Sequence, residues 1–197
     1  VAIQQECPAI ASVTPNTRVN RQVVAGNLNW STQIQGGNPS FFEIRDWKIK
    51  TGEVFTDQDV RGATKVCVIG KTVADKLFPD SDPVGQTIRI AKLPFRVIGT
   101  LAEKGQNAMG MDQDDLIIAP FPTVQRKLTN QDFVGSILAS ASSADQIETA
   151  KKQISSLLRA RHKLSDWQDD DFTIRTQTEI SAAAGSTTRT MKVLLGA

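Results

Sequence analysis

The 197-residue sequence has no apolar run approaching the roughly 18 residues that a membrane-spanning helix needs, so these residues are read as a body lying outside the bilayer. It has little excess charge: 23 Lys and Arg stand against 21 Asp and Glu, with no block of either sign. A nucleic-acid binder normally shows a concentrated basic stripe, and none is present. There is one histidine and no Gly-x-Ser-x-Gly elbow, which leaves little material for a Ser or Cys hydrolase. Two cysteines, Cys7 and Cys67, give no disulfide framework; they are read either as a pair or as buried free thiols. No repeat or low-complexity segment stands out. The composition, 40% hydrophobic and 22% charged, is that of an ordinary globular chain with enough length for a sizeable core.

What is present begins at Val1, without Met or signal peptide, and reads as a piece of something longer. Val1 to Glu6 reads as the tail of a helix broken by Pro8. Ile10 to Thr14, Arg18 to Ala25 and Leu28 to Gln35 alternate apolar and polar residues, as half-buried strands do, with Gly26-Asn27 as a turn between the last two. Asn38-Pro39 signals a helix start, and Phe41, Phe42 and Trp47 supply a bulky apolar face. Val66 to Ile69 is a continuous apolar run, the pattern of a strand covered on both faces. Lys71 to Phe78 reads as a short helix stopped by Pro79. Ile88 to Ile90 and Phe95 to Ile98 read as strands around a turn at Lys92 to Pro94, and Leu116 to Ile118 as another strand.

The last third predicts a βαβ-type unit. Phe133 to Ser140 is a strand pattern, Ser143 with Gln146 is a capping-box signature, and Ile147, Ala150, Ile154, Leu157 and Leu158 recur at helical spacing. Phe172, Ile174 and Thr176 then alternate as a second strand. The closing residues, from Ser181 to Ala197, read either as the foot of a membrane helix or as an amphipathic helix packed on the core.

Three places invite a chemical reading. Gly70-Lys71-Thr72 looks like the end of a phosphate loop, but position 65 is Lys where that motif needs Gly, and residues 66 to 69 read as strand. His162 precedes Asp166, Asp169, Asp170 and Asp171; the set could hold a metal, or Arg159, Arg161, His162 and Lys163 could simply complement a helix C-terminus. The loop from Glu103 to Asp115 carries Met109, Gly110 and Met111, which suit an adaptable partner contact or a mobile hairpin whose methionines fold back on the sheet. No residue is assigned to catalysis, to a metal or to a cofactor.

Residues 66 to 105 carry a more specific pattern: Val68-Ile69-Gly70, Val73-Ala74, Leu77-Phe78, Pro83-Val84-Gly85, Ile88, Phe95, Val97-Ile98-Gly99 and Lys104-Gly105. Asp114 to Pro120, Leu158 to His162 and Thr187 to Thr190 follow in order. Together these resemble the MacB-like periplasmic core domain of FtsX-like ABC transporter permeases. The resemblance implies an α+β fold of two subdomains: a βαβ-type porter formed from both chain ends and an inserted mixed β/α sabre. Laid over this sequence it implies a porter at 1–50 and 131–186, a sabre at 51–130, and a stalk at 187–197 leading to a second transmembrane helix. The sequence departs from the family in lacking a strand and most of a helix before Val1, so the porter is expected to be truncated at that end.

The resemblance further implies a non-catalytic, cofactor-free domain on the periplasmic side of an inner-membrane permease. Its partners would be a second permease copy, an ABC ATPase domain, a MacA-type adaptor and a TolC-type outer-membrane channel. Thr187, Thr188, Arg189, Thr190 and Lys192 would lie in the force-transmitting stalk, and Met109, Gly110 and Met111 are assigned to partner contact. From a different class, a free-standing extracytoplasmic ligand-binding or signalling module remains an open reading.

Overall fold

The computed structural model describes residues 2–107 and 110–182. The fold is mixed α+β, and the chain divides into two compact units, Ser12–Ser140 and the two ends, Val1–Ala11 with Ala141–Ala197.

The unit of residues 12–140 is organised by strand pairing. β1 (Ile10–Ala25) turns through Gly26, at φ +55°, and Asn27 into β2 (Leu28–Gly37), in register from Ala25 opposite Leu28 to Thr17 opposite Gly36. The two alternating runs expected before the turn are one 16-residue strand. Pairing with β2 starts at Thr17, beyond Pro15, so the proline interrupts no bond of that ladder.

After α2 (Ser40–Ile44), β3 (Ile49–Gly52) and α3 (Asp57–Gly62) come β4 (Val66–Ile69) and α4 (Lys71–Leu77). β5 (Thr87–Ile90) and β6 (Leu93–Leu101) form a tight hairpin in which Ala91 and Lys92 both have positive φ. β7 (Leu116–Pro120) leads into α5 (Phe121–Val124), which continues as a π-helical turn, Gln125–Thr129, before β8 (Ser136–Ala141).

The strand order β2-β7-β4-β6-β5-β1 returns to β2 through the β1–β2 hairpin, so six strands close a ring; β8 adds beside β1 and β3 beside β6. Closure removes the unpaired edges that an open sheet leaves. It also ties the first strands to later ones. β1 and β2, before residue 50, pair with β5 and β7, beyond it. Residues 12–50 therefore lie in the same compact unit as 51–130, a unit bounded at 11/12 and 140/141.

Side-chain alternation splits the interior in two. Cys67 and Ile69 of β4, Phe95 and Val97 of β6 and Ile117 and Ala119 of β7 join Val23, Ile34, Ile88 and Ile90 in one cluster, closed by Val73 and Leu77 of α4. Val68, Ile98, Leu116 and Ile118 face the other way, onto Phe41, Phe42, Trp47 and Phe55. Both faces of β4 are covered, as its unbroken apolar run predicted. Cys7 and Cys67 are both buried and both free, and burial pushes the Cys67 thiol far above its usual range.

The unit of the chain ends is built differently. α1 (Ala2–Glu6) precedes the start of β1, and α6 (Ile147–His162) follows a 3-10 turn, Ala144–Gln146. The Ala9 N–H donates to Gln153 Oε1 at 3.0 Å, and Arg161 pairs with Glu6 at 2.6 Å. Two expectations fail here. Ser143 is the N-cap residue but its side chain makes no capping bond, so the Ser143–Gln146 box does not form. Among the described residues no strand follows Ala141, so the second strand of the βαβ unit, at Phe172 to Thr176, is not formed either.

Instead Asp170 pairs with Arg159 and Asp171 with His162, at the end of α6. A reciprocal cap does occur later, where the Thr176 N–H donates to Glu179 Oε2 at 2.7 Å and the Glu179 N–H to Thr176 Oγ1 at 3.2 Å, opening the helical residues 177–182.

Candidate functional site

The loop between β6 and β7 is built from its two ends inward. The strand end is fixed by the Ala102 N–H donating to Lys48 O at 2.8 Å. Asp114, 3% exposed, then turns its carboxylate into the loop and accepts the N–H groups of Lys104 at 2.9 Å and Gly105 at 2.7 Å. A buried carboxylate needs such donors, and here the donors are the backbone of the opposite loop arm. The Gln113 N–H closes the base on Gly105 O at 3.0 Å, and Gln106 and Asp112 form an isolated antiparallel bridge above it.

The neck of the loop is tied to its surroundings. Asp112 accepts the Thr72 hydroxyl at 2.6 Å through Oδ2 and the Asp114 N–H at 2.8 Å through Oδ1. Asp115 accepts the Trp30 indole N–H at 2.9 Å. Lys104 lies 4.3 Å from the centre of the Trp47 ring and donates to Arg45 O at 2.7 Å; burial there holds its ammonium pKa below the usual range. Gly70 lets α4 approach this neck: a Cβ at that position would stand 2.1 Å from Asp114 O.

The tip is short and outward. The Asn107 N–H donates to Met111 O at 2.9 Å, the Gly110 N–H returns to Asn107 O at 2.9 Å, and the Met111 N–H donates to Asn107 Oδ1 at 3.1 Å. Gly110 takes φ +74°, a left-handed conformation that suits glycine. Met111 is 55% exposed, so its thioether is not folded back on the sheet. Of the three residues assigned to partner contact, Gly110 and Met111 stand together at this tip, and Met109 lies outside the described residues. Thr187, Thr188, Arg189, Thr190 and Lys192 also lie outside them.

In the other chemical readings several of the side chains are already paired. Lys71 pairs with Asp75 one turn along α4, which raises the lysine pKa, and Thr72 is spent on Asp112. The Gly70 N–H, which a phosphate loop would aim at its ligand, donates to Leu116 O at 2.9 Å. At the other candidate, His162 Nδ1 meets Asp171 Oδ1 at 2.7 Å with Phe172 edge-on to the imidazole. Among the described residues no three His, Cys, Asp or Glu side chains gather as a metal site would require. The role of Asp114 was not legible beforehand. Its only signal was a second carboxylate at the end of a glycine-containing loop, where Asp commonly serves backbone N–H groups.

Residues 1–157 match the MacB-like periplasmic core domain. The chain belongs to that family. Its relatives include a macrolide export ATP-binding/permease protein MacB of Syntrophobacter fumaroxidans, 36% identical over 98% of this chain and 35% of the relative. One from Chlorobium luteolum is 40% identical over 89% of this chain and 26% of the relative. The chain thus spans about a third or less of the length of these proteins. The periplasmic region of MacB from Actinobacillus actinomycetemcomitans superposes with a TM-score of 0.76 at 28% identity, over 92% of this chain and 79% of that one. The extracellular domain of the noncanonic ABC-type transporter YknZ shares the fold, with a TM-score of 0.70 at 20% identity, over 83% of each chain. The sequence pattern of residues 66 to 105 therefore identified the family correctly. In this MacB-type periplasmic domain the loop just described is braced at its base by Asp114 and exposes Met111.

Proposed function

We propose that this chain is a non-catalytic, cofactor-free periplasmic module of an inner-membrane ABC transporter permease. It couples ATP hydrolysis, carried out by a nucleotide-binding domain outside these residues, to export of substrates already in the periplasm: drugs, peptides or lipoproteins. The permease acts as a pair, and the module docks a MacA-type adaptor that leads to a TolC-type channel. Residues 187–197 form the stalk that carries the motion. Residues 1–50 and 131–186 belong to the porter and residues 51–130 to the inserted sabre.

The observation that carries this reading is the joint likeness in sequence and fold to MacB relatives across nearly the whole chain. The adaptor contact rests on Gly110 and Met111, an exposed methionine on a tip whose base is fixed by Asp114. Methionine suits such a surface because an unbranched thioether adapts to irregular apolar partners. The test is calorimetric titration of a purified MacA-type adaptor from the same genome into the chain and into a variant with Met109, Gly110 and Met111 replaced by Ser. Affinity several-fold lower in the variant is the expected result. Unchanged affinity moves the contact off the loop, and no binding to either protein removes the adaptor from the reading and turns it toward lipoprotein release or signalling.

A further inference from the structure

The tip of the β6–β7 loop hangs from the bridge between Gln106 and Asp112, and Asp112 is the residue that follows Met111 in the chain. Asp112 joins three parts of the unit. Its backbone forms the bridge, its Oδ1 accepts the Asp114 N–H at 2.8 Å, and its Oδ2 accepts the Thr72 hydroxyl at 2.6 Å. The first two of these bonds stay within the loop. The third crosses 40 residues of sequence to α4.

The loop has freedom for such a bond to remove. Gly105 and Gly110 both take positive φ, +71° and +74°, and a Cβ at either would meet nothing within 4 Å. Met111 is exposed, so its own packing does not fix the tip. The Asp114 carboxylate holds the first arm of the loop only as far as the Gly105 N–H. α4, for its part, accommodates a carboxylate at its start. Its N-cap is Gly70, which makes no side-chain cap, and its first turn carries no acid. Asp112 brings negative charge to the second residue of that helix, where the aligned peptide dipoles favour it.

We propose that Thr72 is a positioning residue for the methionine tip: its hydroxyl latches Asp112 to α4 and so holds Met111 in the orientation that a partner meets. The inference rests on the reading that this tip contacts a periplasmic adaptor, and it gives Thr72 no contact of its own. A tip ordered in its bound orientation beforehand costs less to immobilise. Released, it is competent for only part of the time, and the apparent affinity falls by that fraction.

Thr72→Val removes the hydroxyl and keeps a β-branched side chain, whereas Thr72→Ser keeps the hydroxyl. Both are titrated calorimetrically with the purified MacA-type adaptor, and the free chains are compared by hydrogen exchange. Thr72→Val is expected to weaken binding roughly three- to tenfold, and Thr72→Ser to bind as the wild type does. In the free chain, residues 105–113 are expected to exchange faster in Thr72→Val, with β4, β6 and β7 unchanged. In an Asp112→Ala background, Thr72→Val is expected to weaken binding no further, because the latch is already open. A further loss there would make Thr72 a contact and overturn its positioning role. Wild-type affinity in Thr72→Val, with the methionine-loop variant still impaired, overturns the latch and leaves the tip as the contact. If the adaptor binds no form of the chain, the adaptor reading falls and exchange at residues 105–113 decides the latch by itself: faster exchange in Thr72→Val upholds it, and unchanged exchange overturns it.

Discussion

Residues 12–140 and the two chain ends solve the stability problem in different ways. The first unit closes a ring of six strands with apolar clusters on alternate faces, and Phe41, Phe55, Phe95, Ile69 and Ile117 are fully buried in it. The second has one 16-residue helix in which only Ala150 is buried; Ile154, Leu157 and Leu158 are half-covered, and ion pairs such as Arg161 with Glu6 tie the helix to the N-terminal segment. Burial of apolar area is the large term in folding, and exposed ion pairs are worth little. The ring is therefore expected to be the rigid body of the domain and the ends its adaptable part.

The same truncation made in each unit gives the sharpest test. Phe95→Ala removes a fully buried ring from the barrel cluster and is expected to cost about 3–5 kcal/mol in chemical denaturation, whereas Leu157→Ala on the half-covered stripe of α6 is expected to cost roughly 1 kcal/mol. Equal losses would dissolve the contrast. Next in size, Gly70→Ala drives a Cβ into Asp114 O and is expected to cost about 2–3 kcal/mol, with hydrogen exchange rising in residues 103–115 before the rest of the unit.

A smaller effect tests a local device within the ring unit. The α3 capping box pairs the Thr56 N–H with Asp59 Oδ2 at 2.8 Å and the Asp59 N–H with Thr56 Oγ1 at 3.3 Å, and Thr56→Ala is expected to cost about 1 kcal/mol. The Thr56 backbone N–H, with its hydroxyl, holds the Asp59 pKa below its ordinary value of 3.8. The box therefore contributes stability above about pH 3.8, and that contribution is lost as pH falls through the lowered folded value. Melting curves taken between pH 5 and 2 should show a shallower acid decline for Asp59→Asn than for the wild type.

The smallest expected effect is a gain. Ala91 and Lys92 carry positive φ, +48° and +71°, in a two-residue hairpin of the kind that favours Asn-Gly. Lys92→Gly is expected to stabilise the chain by about 0.5–1 kcal/mol, read as a rise in melting temperature. A loss would mean that the lysine contributes more through its side chain than its backbone conformation costs.

Much of the ring unit was legible because its signals are local. The β1–β2 turn at Gly26-Asn27, the two-faced run Val66 to Ile69 and the α4 boundaries follow from turn chemistry, side-chain period and a stop at Pro79. α3 and the helical stretch Phe121–Thr129 were not foreseen, because short helices are held by caps and packing more than by periodicity. Phe172, Ile174 and Thr176 alternate like a strand, yet the charges of Asp170 and Asp171 bind Arg159 and His162 instead. Of the site, the tip was visible as glycine and methionine in a polar stretch, whereas the brace through Asp114 was not.

The sequence by itself determined the family and the α+β class, the β1–β2 turn and the strands β4 to β7, and the lack of a helix long enough to cross a membrane among the described residues. Only the tertiary structure decided that β1 and β2 share a ring with β5 and β7, that Asp114 turns inward to hold the loop, and that residues 12–50 belong with 51–130. The physical reason is separation along the chain. Pairing Gln33 with Leu116 or Val23 with Ile90 depends on which edges remain free once the local pieces have formed, and a side-chain period carries no record of its distant partner.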